Sequence, residues 1–364
     1  MNKKYLICGG GSGGHIFPAI SIANEIKLKI LNCEFLFVGA KNMMEMKKVP
    51  ESGYQIKGLW ISGFSRKFRF KNFIFFIKLF HSLIMSFIIL IKFKPNIVIG
   101  TGGYVSGPVI FVASILKIPT IIQEQNSYPG ITNRILSNFV NFVCVAYEGL
   151  DKYFPKEKII FTGNPIRKEI ENFHSKSKTI YKKISFDSSK ITVLILGGSL
   201  GSKKINEIIS LNLDWFKLRN IQLIWQTGEL YYDHYVTKYD NYDSKIIIKP
   251  FFKSIYEILS ISDVVISRSG AIAISEFMAL GKSTILIPSP NVSEDHQNKN
   301  AEHLKSRKAT ILVKEENIEK LLFRELEKLI SSKDKRELLS KNMKKMYVPN
   351  ASSKIVELIK KISL

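Results

Sequence analysis

Cysteine is scarce in this chain and shows no pairing pattern. There are three, Cys8, Cys33 and Cys144, with no C-x-x-C spacing. An odd number without that spacing argues against a disulfide framework or a zinc ribbon and predicts three reduced, strand-buried thiols. Metal-site patterns are lacking too: the six histidines show no ligand spacing, and no D-x-D occurs. No G-K-[ST] follows any glycine-rich loop, which excludes a P-loop. The opening MNKKYLICGGG has too short an apolar stretch for a signal peptide and runs straight into glycines, so a cytoplasmic protein is expected. Acid is missing over one long stretch. Between Ser52 and Gln123 there is no Asp or Glu, while Lys57, Arg66, Lys67, Arg69, Lys71, Lys78, Lys92, Lys94 and Lys117 all fall inside it.

The 364 residues suggest about two domains of roughly 150 residues each. A hydrophobic share of 45% and a charged share of 23% exclude disorder and collagen-like repeats. Lys and Arg number 54 against 31 acids, a formal charge of +23. Such an excess points to an anionic partner: nucleic acid, anionic lipid or a phosphorylated substrate. A chain rich in Lys, Ile and Asn throughout carries part of that charge by composition alone. The acid-free stretch is local, and it lies in the first half.

Short apolar runs alternate with helical stretches. Strands are predicted at Lys4–Cys8, Glu34–Val38, Asn96–Ile99, Thr120–Gln123 and Phe142–Val145. The pattern restarts at Thr192–Leu196, with further strands at Gln222–Trp225, Lys245–Ile248, Val264–Ser267 and Ser283–Ile287. This βαβ repetition implies parallel sheets covered on both faces. The fold class expected is therefore α/β, two doubly wound Rossmann-like domains facing a cleft. The polar stretch EIENFHSKSKTIYKK reads as the linker between them. Residues 1–165 form the first domain in this reading and residues 166–345 the second.

Two glycine loops stand between strand and helix, where backbone N–H groups and the helix dipole favour an anion. The first, Gly9 to His15, satisfies G-x-G-x-x-G formally. The acid that should end the second strand and hold a ribose is absent, since EFLFV runs into Gly39-Ala40, and NAD is thereby disfavoured. The second loop is Gly197 to Ser202. Two such loops suit a nucleoside diphosphate and a second anionic substrate; taken singly, either could be a tight structural turn. Gly100–Pro108 and Gln123–Asn126 end other strands, where ligands of parallel sheets bind. Glu276 follows SRSGA on a helix, either as a surface acid favourable to the dipole or as a bidentate acceptor for ribose hydroxyls.

These segments occur in a known order. GGGSGGH, GTGGYVSGP, EQN–x3–G–x–TN, GNPIR, GGSLGS, SRSGA with its later SE, and HQxxNA resemble the peptidoglycan N-acetylglucosaminyltransferase family over about Ile7 to Ala301. The resemblance implies a GT-B type glycosyltransferase of two Rossmann-like domains, with residues 346–364 returning as a helix onto the first domain. It implies transfer of GlcNAc from UDP-GlcNAc to the C4 hydroxyl of undecaprenyl-diphospho-N-acetylmuramoyl-pentapeptide, with inversion and no cofactor. Ser12, Gly13, Gly14, Asn126, Arg167, Ser199, Phe252, Ala271, Ile272, Ala273, Ile274, Ser275, Glu276 and Gln297 are implied UDP-GlcNAc contacts. Tyr104 and Asn133 lie on the acceptor side. Ser12 and Ala273 stand where the family commonly has Thr, and Gln123 where it commonly has His.

A base is needed only to take the proton of the C4 hydroxyl as the bond forms. His15 is the first candidate and Glu124 the second; His15 could instead donate to a phosphate. Leaving UDP would be met by the second loop and Arg167. The run Phe73–Ile91 nears the length of a membrane span, but Lys78, Ser82 and Ser86 recur along one side. The expectation is a helix with one flank on the sheet and another on the bilayer surface, aided by Arg66, Lys67, Arg69 and Lys71 against anionic lipid. That makes a peripheral protein of the inner membrane face, with no nucleic-acid partner. Other readings are a diacylglycerol glycosyltransferase, a UDP-sugar epimerase, or a basic scaffold without catalysis.

Overall fold

The computed structural model describes residues 2–63, 69–173, 178–198, 200–239, 243 and 245–362, with the backbone alone at 69–72 and 178. The chain forms two compact units. Unit 1 comprises Met1–Arg167 and Val348–Leu364, and unit 2 comprises Lys168–Tyr347.

Unit 1 holds a seven-stranded parallel sheet of β1 (Lys3–Cys8), β2 (Cys33–Ala40), β3 (Ile56–Leu59), β4 (Ile97–Gly100), β5 (Thr120–Glu124), β6 (Phe142–Val145) and β7 (Ile159–Phe161), in the order β3-β2-β1-β4-β5-β6-β7. Central strands such as IVIG and TIIQE are buried along their whole length, as a sheet covered on both faces requires. Helices α1 (Gly13–Lys29), α2 (Glu45–Glu51), α3 (Arg69–Phe93), α4 (Ser106–Ile115) and α5 (Ile131–Leu136) connect them. Strand order reverses between β1 and β4, so the loops after these two strands diverge and leave a crevice at their carboxyl ends. Both loops are glycine-rich, at Gly9–Gly14 and Gly100–Gly103.

Unit 2 repeats the plan with β8 (Thr192–Leu196), β9 (Gln222–Gln226), β10 (Ile246–Lys249), β11 (Val264–Ser267), β12 (Ser283–Leu286) and β13 (Ile311–Leu312), in the order β10-β9-β8-β11-β12-β13. Its reversal falls between β8 and β11, below the loops Gly197–Ser202 and Arg268–Gly270.

Three short edge elements, β3, β7 and β13, are absent from the sequence reading. The stretch read as a linker differs as well. Residues 169–183 lie inside unit 2, where Lys168–Glu171 and the backbone from Lys178 to Lys183 are helical. Ile170, Ile180 and Tyr181 are buried there, and the Tyr181 hydroxyl donates to the Ile261 carbonyl at 3.1 Å. Three buried apolar side chains, with Phe173 against Tyr256, anchor a segment that is otherwise polar.

The helix Ala351–Ile362 belongs to unit 1. Its Ile355, Val356 and Ile359 share a core cluster with Ile16, Ile22 and Ile26 of α1, and Lys29 on α1 pairs with Glu357 at 3.2 Å.

Along α3 the polar stripe turns inward. Ser82 and Ser86 are buried, the Ser82 hydroxyl donates to the Trp60 carbonyl at 3.2 Å, and Lys78 donates to Ser62 at 3.2 Å. Leu83, Ile89, Leu90 and Phe93 pack on the core. Phe73, Phe76 and Phe80 stand 61–69% exposed, with Ile84, Phe87 and Ile91 beyond them. The polar groups meet the unsatisfied strand end at Trp60–Ser62, and the apolar ones are left outside. Arg66 and Lys67 lie outside the described residues, as do the side chains of Arg69 and Lys71.

Cys8 and Cys144 are buried strand residues, whereas Cys33 at the start of β2 is half-buried. Burial pushes the thiols of Cys8 and Cys144 up to about 12 and raises that of Cys33. Native protein treated with a maleimide at pH 8 is therefore expected to label first at Cys33, with Cys8 and Cys144 reacting only after unfolding. Mass spectrometry of timed samples checks this, and early labelling of Cys8 would contradict the packing of β1.

Candidate active site

The first glycine loop is built around a carboxylate. Glu45, at the start of α2, is fully buried and points back to the carboxyl ends of β1 and β2. Its Oε1 accepts the Ala40 N–H at 2.9 Å, and its two oxygens share the Gly11 N–H at 3.1 and 3.2 Å. A methyl group on Gly10 would overlap this carboxylate, and one on Gly39 would come within 2.5 Å of Glu45 Cγ. One of the loop's N–H groups is thus held by the chain itself. Those of Gly13 and Gly14, in the first turn of α1, have no intrahelical acceptor and remain suited to an anion.

His15 sits in that first turn. Its Nδ1 lies 2.8 Å from the Gly10 carbonyl and 3.3 Å from Ser12 Oγ. A carbonyl can only accept, so Nδ1 carries a hydrogen, and in the neutral ring Nε2 carries the lone pair. The second loop of the crevice packs on this ring. A methyl on Gly102 would come within 2.8 Å of His15 Cδ2, and Gly103 adopts φ 79° against the Gly10 carbonyl. Tyr104 lies over Gly11 and beside Gly63; burial first, then the Glu45 charge, raises its hydroxyl above the ordinary phenol range.

Glu124 ends β5 almost wholly buried, and both its oxygens are occupied. Oε1 accepts the Asn126 N–H and side-chain amide at 3.0 Å each; Oε2 accepts the Gly130 N–H at 3.2 Å and the Asn133 amide at 2.9 Å. Four donors of the chain itself thus fill the two oxygens. Glu124 thereby organises the EQN–TN turn. Asn133 is turned inward at 3% exposure, with its amide also given to the Gln123 carbonyl, so it supports that turn from below. Gln123 is buried and donates to Asn164 Oδ1 at 2.8 Å, while Asn164 donates to the Gln125 carbonyl at 3.0 Å, which ties the GNPIR segment to β5. Arg167 is the last residue of unit 1 before the chain enters unit 2.

In unit 2, Ser199 lies outside the described residues. The loop around it is braced by Arg268, a residue that the sequence reading quotes within SRSGA without assigning. Arg268 donates to Ser202 Oγ at 2.7 Å and to the carbonyls of Ile287 and Pro288 at 3.1 Å each, and it pairs with Glu315. Ser202 in turn caps the helix Lys203–Ser210 by accepting from the Ile205 N–H.

Ala271 to Glu276 lie in the helix Ala271–Leu280, entered through Gly270. Only part of the run can meet a ligand. The backbone N–H groups of Ala271, Ile272 and Ala273 are in the open first turn, whereas the Ile274 side chain is in the core and Ser275 Oγ bonds back to the Ala271 carbonyl at 2.9 Å. Glu276 is the sixth helical residue and 6% exposed, so it is neither a surface acid nor at the helix start. Phe252 gives its N–H to Gln226 Oε1 at 3.0 Å, leaving its carbonyl to read a base edge. Gln297 accepts the Ser289 N–H at 2.9 Å through Oε1, and its carbonyl accepts from Ser269 at 2.8 Å.

Two family domains match the chain: the glycosyltransferase family 28 N-terminal domain over residues 5–145 and its C-terminal domain over residues 192–360. A UDP-N-acetylglucosamine–N-acetylmuramyl-(pentapeptide) pyrophosphoryl-undecaprenol N-acetylglucosamine transferase of Flavobacterium psychrophilum is 49% identical over 99% of this chain and 97% of its own. One of the same name from Christiangramia forsetii is 45% identical over the same shares. The crystal structure of Acinetobacter baumannii MurG superposes with a TM-score of 0.76 at 25% identity, covering 99% of this chain and 100% of that one. A UDP-GlcNAc 2-epimerase from Neisseria meningitidis, at 16% identity and TM-score 0.67 over 99% and 100%, shares the fold.

The brace under the second loop generates a prediction. Arg268→Ala leaves Glu315 without its cation and is expected to destabilise unit 2 by about 3 kcal/mol. Arg268→Ala combined with Glu315→Ala is expected to cost less than the sum of the single changes. Denaturant unfolding followed by the fluorescence of Trp225, buried in unit 2, measures both; full additivity would contradict the pairing.

Proposed function

The chain belongs to glycosyltransferase family 28, and from that membership we propose that it transfers N-acetylglucosamine from UDP-N-acetylglucosamine to undecaprenyl-diphospho-N-acetylmuramoyl-pentapeptide in cell-wall synthesis. The observation that carries this reading is full-length similarity to transferases of that name, joined to a histidine held in the tautomer a base requires.

In unit 2 the nucleotide sugar is taken up by chemistry already described. Glu276 accepts from the ribose hydroxyls, the Phe252 carbonyl meets the uracil, and Gln297 donates to sugar hydroxyls. The open N–H groups at Ala271–Ala273 and the Gly197–Ser202 loop suit the diphosphate. In unit 1, Tyr104 and Asn133 are proposed to lie on the acceptor side, and Ser12, Gly13, Gly14 and Asn126 to meet the donor. His15 Nε2 takes the proton of the C4 hydroxyl as its oxygen attacks the anomeric carbon. The bond to UDP breaks in the same step, and the charge appearing on UDP is met by N–H groups and Arg167. One displacement inverts the anomeric centre. Each developing charge has a donor or acceptor among these residues, so the step is proposed to run without a metal.

The protein is further proposed to be peripheral at the inner face of the cytoplasmic membrane. The acceptor's lipid stays in the bilayer, and α3 presents Phe73, Phe76 and Phe80 outward while its polar side is tied into unit 1. Of the described helices, this one is long and apolar enough to cross a membrane, over Phe73–Phe93, but crossing would break the Lys78 and Ser82 bonds.

Incubation with labelled UDP-GlcNAc and the lipid-linked acceptor is expected to move label into the lipid product. In that assay His15→Ala lowers turnover about 100-fold or more with UDP-GlcNAc affinity kept. Glu276→Ala weakens UDP-GlcNAc binding by about 1.5–3 kcal/mol in calorimetry. Near-normal turnover of the first variant, or unchanged affinity of the second, removes that residue's assignment; no transfer by the unaltered protein removes the function.

Vesicle sedimentation tests location. Phe76→Ser with Phe80→Ser is expected to reduce binding to phosphatidylglycerol vesicles about tenfold or more, and added salt to weaken binding of the unaltered protein. Equal binding to neutral vesicles without a salt effect contradicts the electrostatic part, and resistance to carbonate extraction contradicts the peripheral one.

A further inference from the structure

Glu45 has no role in any of the chemistry above, yet the first glycine loop is shaped around it. Among the described residues no Lys or Arg pairs with its carboxylate, and its recorded donors are the N–H groups of Gly11 and Ala40. Such a buried charge is tolerable only while those donors stay in place, so the requirement runs both ways: the N–H groups hold the carboxylate, and the carboxylate holds the loop. Gly10 and Gly39 make room for it, since a side chain at either position would collide with Glu45. Gly10, wedged between Glu45 and the Gly102–Gly103 turn, is also the residue whose carbonyl accepts from His15 Nδ1.

We propose that Glu45 is a positioning residue for the transfer reaction: by holding Gly11 it fixes the neighbouring Gly10 carbonyl, which keeps His15 in the Nδ1–H tautomer with Nε2 able to accept a proton. The carboxylate also occupies one of the N–H groups that would otherwise meet a phosphate. The first loop thus offers an anionic substrate only the open turn of α1. This deepens the reading of His15 as base and rests on it. The tautomer itself can be measured without that reading.

The test uses full-length protein labelled with 15N in its histidine rings, as wild type, Glu45→Gln and Glu45→Ala. In the wild type the His15 ring shifts are expected to report Nδ1 protonated and Nε2 bare. Glu45→Ala is expected to mix the tautomers and lower kcat about 100-fold, with KM for UDP-GlcNAc changed less than about twofold. Glu45→Gln keeps one oxygen for Ala40 but turns an amide NH2 toward the Gly11 N–H, so an intermediate loss of about tenfold is expected, with a smaller tautomer shift. In a His15→Ala background, Glu45→Ala should lower kcat by less than about twofold further, because the two act through one ring. Unchanged His15 shifts in a folded Glu45 variant, or losses that multiply in the double variant, overturn the proposal. If Glu45→Ala does not fold, Glu45→Gln alone decides by the same shifts. Normal turnover of His15→Ala would instead remove the base assignment, leaving the tautomer comparison to judge Glu45.

Discussion

A buried carboxylate without a paired cation must be met by N–H donors, and two loops of unit 1, where no ion pair to Glu45 or Glu124 is seen among the described residues, take their shape from that requirement. Glu45 gathers the ends of β1 and β2 through Gly11 and Ala40. Glu124 gathers the turn after β5 through Asn126, Gly130 and Asn133. Each lies at the carboxyl edge of the parallel sheet, where strand-to-helix turns leave backbone groups without ladder partners. Unit 2 meets the same problem with the opposite charge: Arg268 donates to a serine and two carbonyls at the strand ends and pairs with Glu315. In all three cases an ionised side chain does the work that regular hydrogen bonding cannot do at a chain reversal. Around Glu45, Gly10 and Gly39 are explained by the space it occupies.

Residues that hold a loop can stand beside residues proposed to bind. Glu124 gives both oxygens to its own turn and Asn133 gives its amide there, while His15, Tyr104, Gln297 and Glu276 are the ones proposed to meet substrate. Motif membership alone does not make that distinction, because both kinds stand side by side in EQN–TN. Burial and the count of donors per oxygen do.

Most strands and both glycine loops are legible in the sequence, because each buried strand is a short apolar run, stopped by glycine at the ends of β1, β4 and β8. The strands missed are those whose signal is weakest: β13 has two residues, β7 has three, and β3 carries a glycine at an edge. The stretch EIENFHSKSKTIYKK reads as a linker because polar residues outnumber the Ile170, Ile180 and Tyr181 that bury themselves. On α3 the two apolar flanks are legible, with Leu83, Ile89 and Leu90 on the core and Phe73, Phe76 and Phe80 outside; that the serine stripe turns inward, Ser82 onto the Trp60 carbonyl, is not. Glu45 and Arg268 leave no local trace at all. Their partners come from other elements, and only Gly39-Ala40, where an acid is expected, hints that something else fills that space. Fold likeness adds little to the functional question, as a 2-epimerase and a transferase share the architecture.

The proposed reaction is one displacement at the anomeric carbon, assisted by a base. The anomeric configuration of the disaccharide formed from UDP-α-GlcNAc, read from the proton coupling at C1 of the transferred sugar, tests it most directly. A β-linked product is predicted. An α-linked product would require a second displacement or a front-face route, and would contradict the role given to His15.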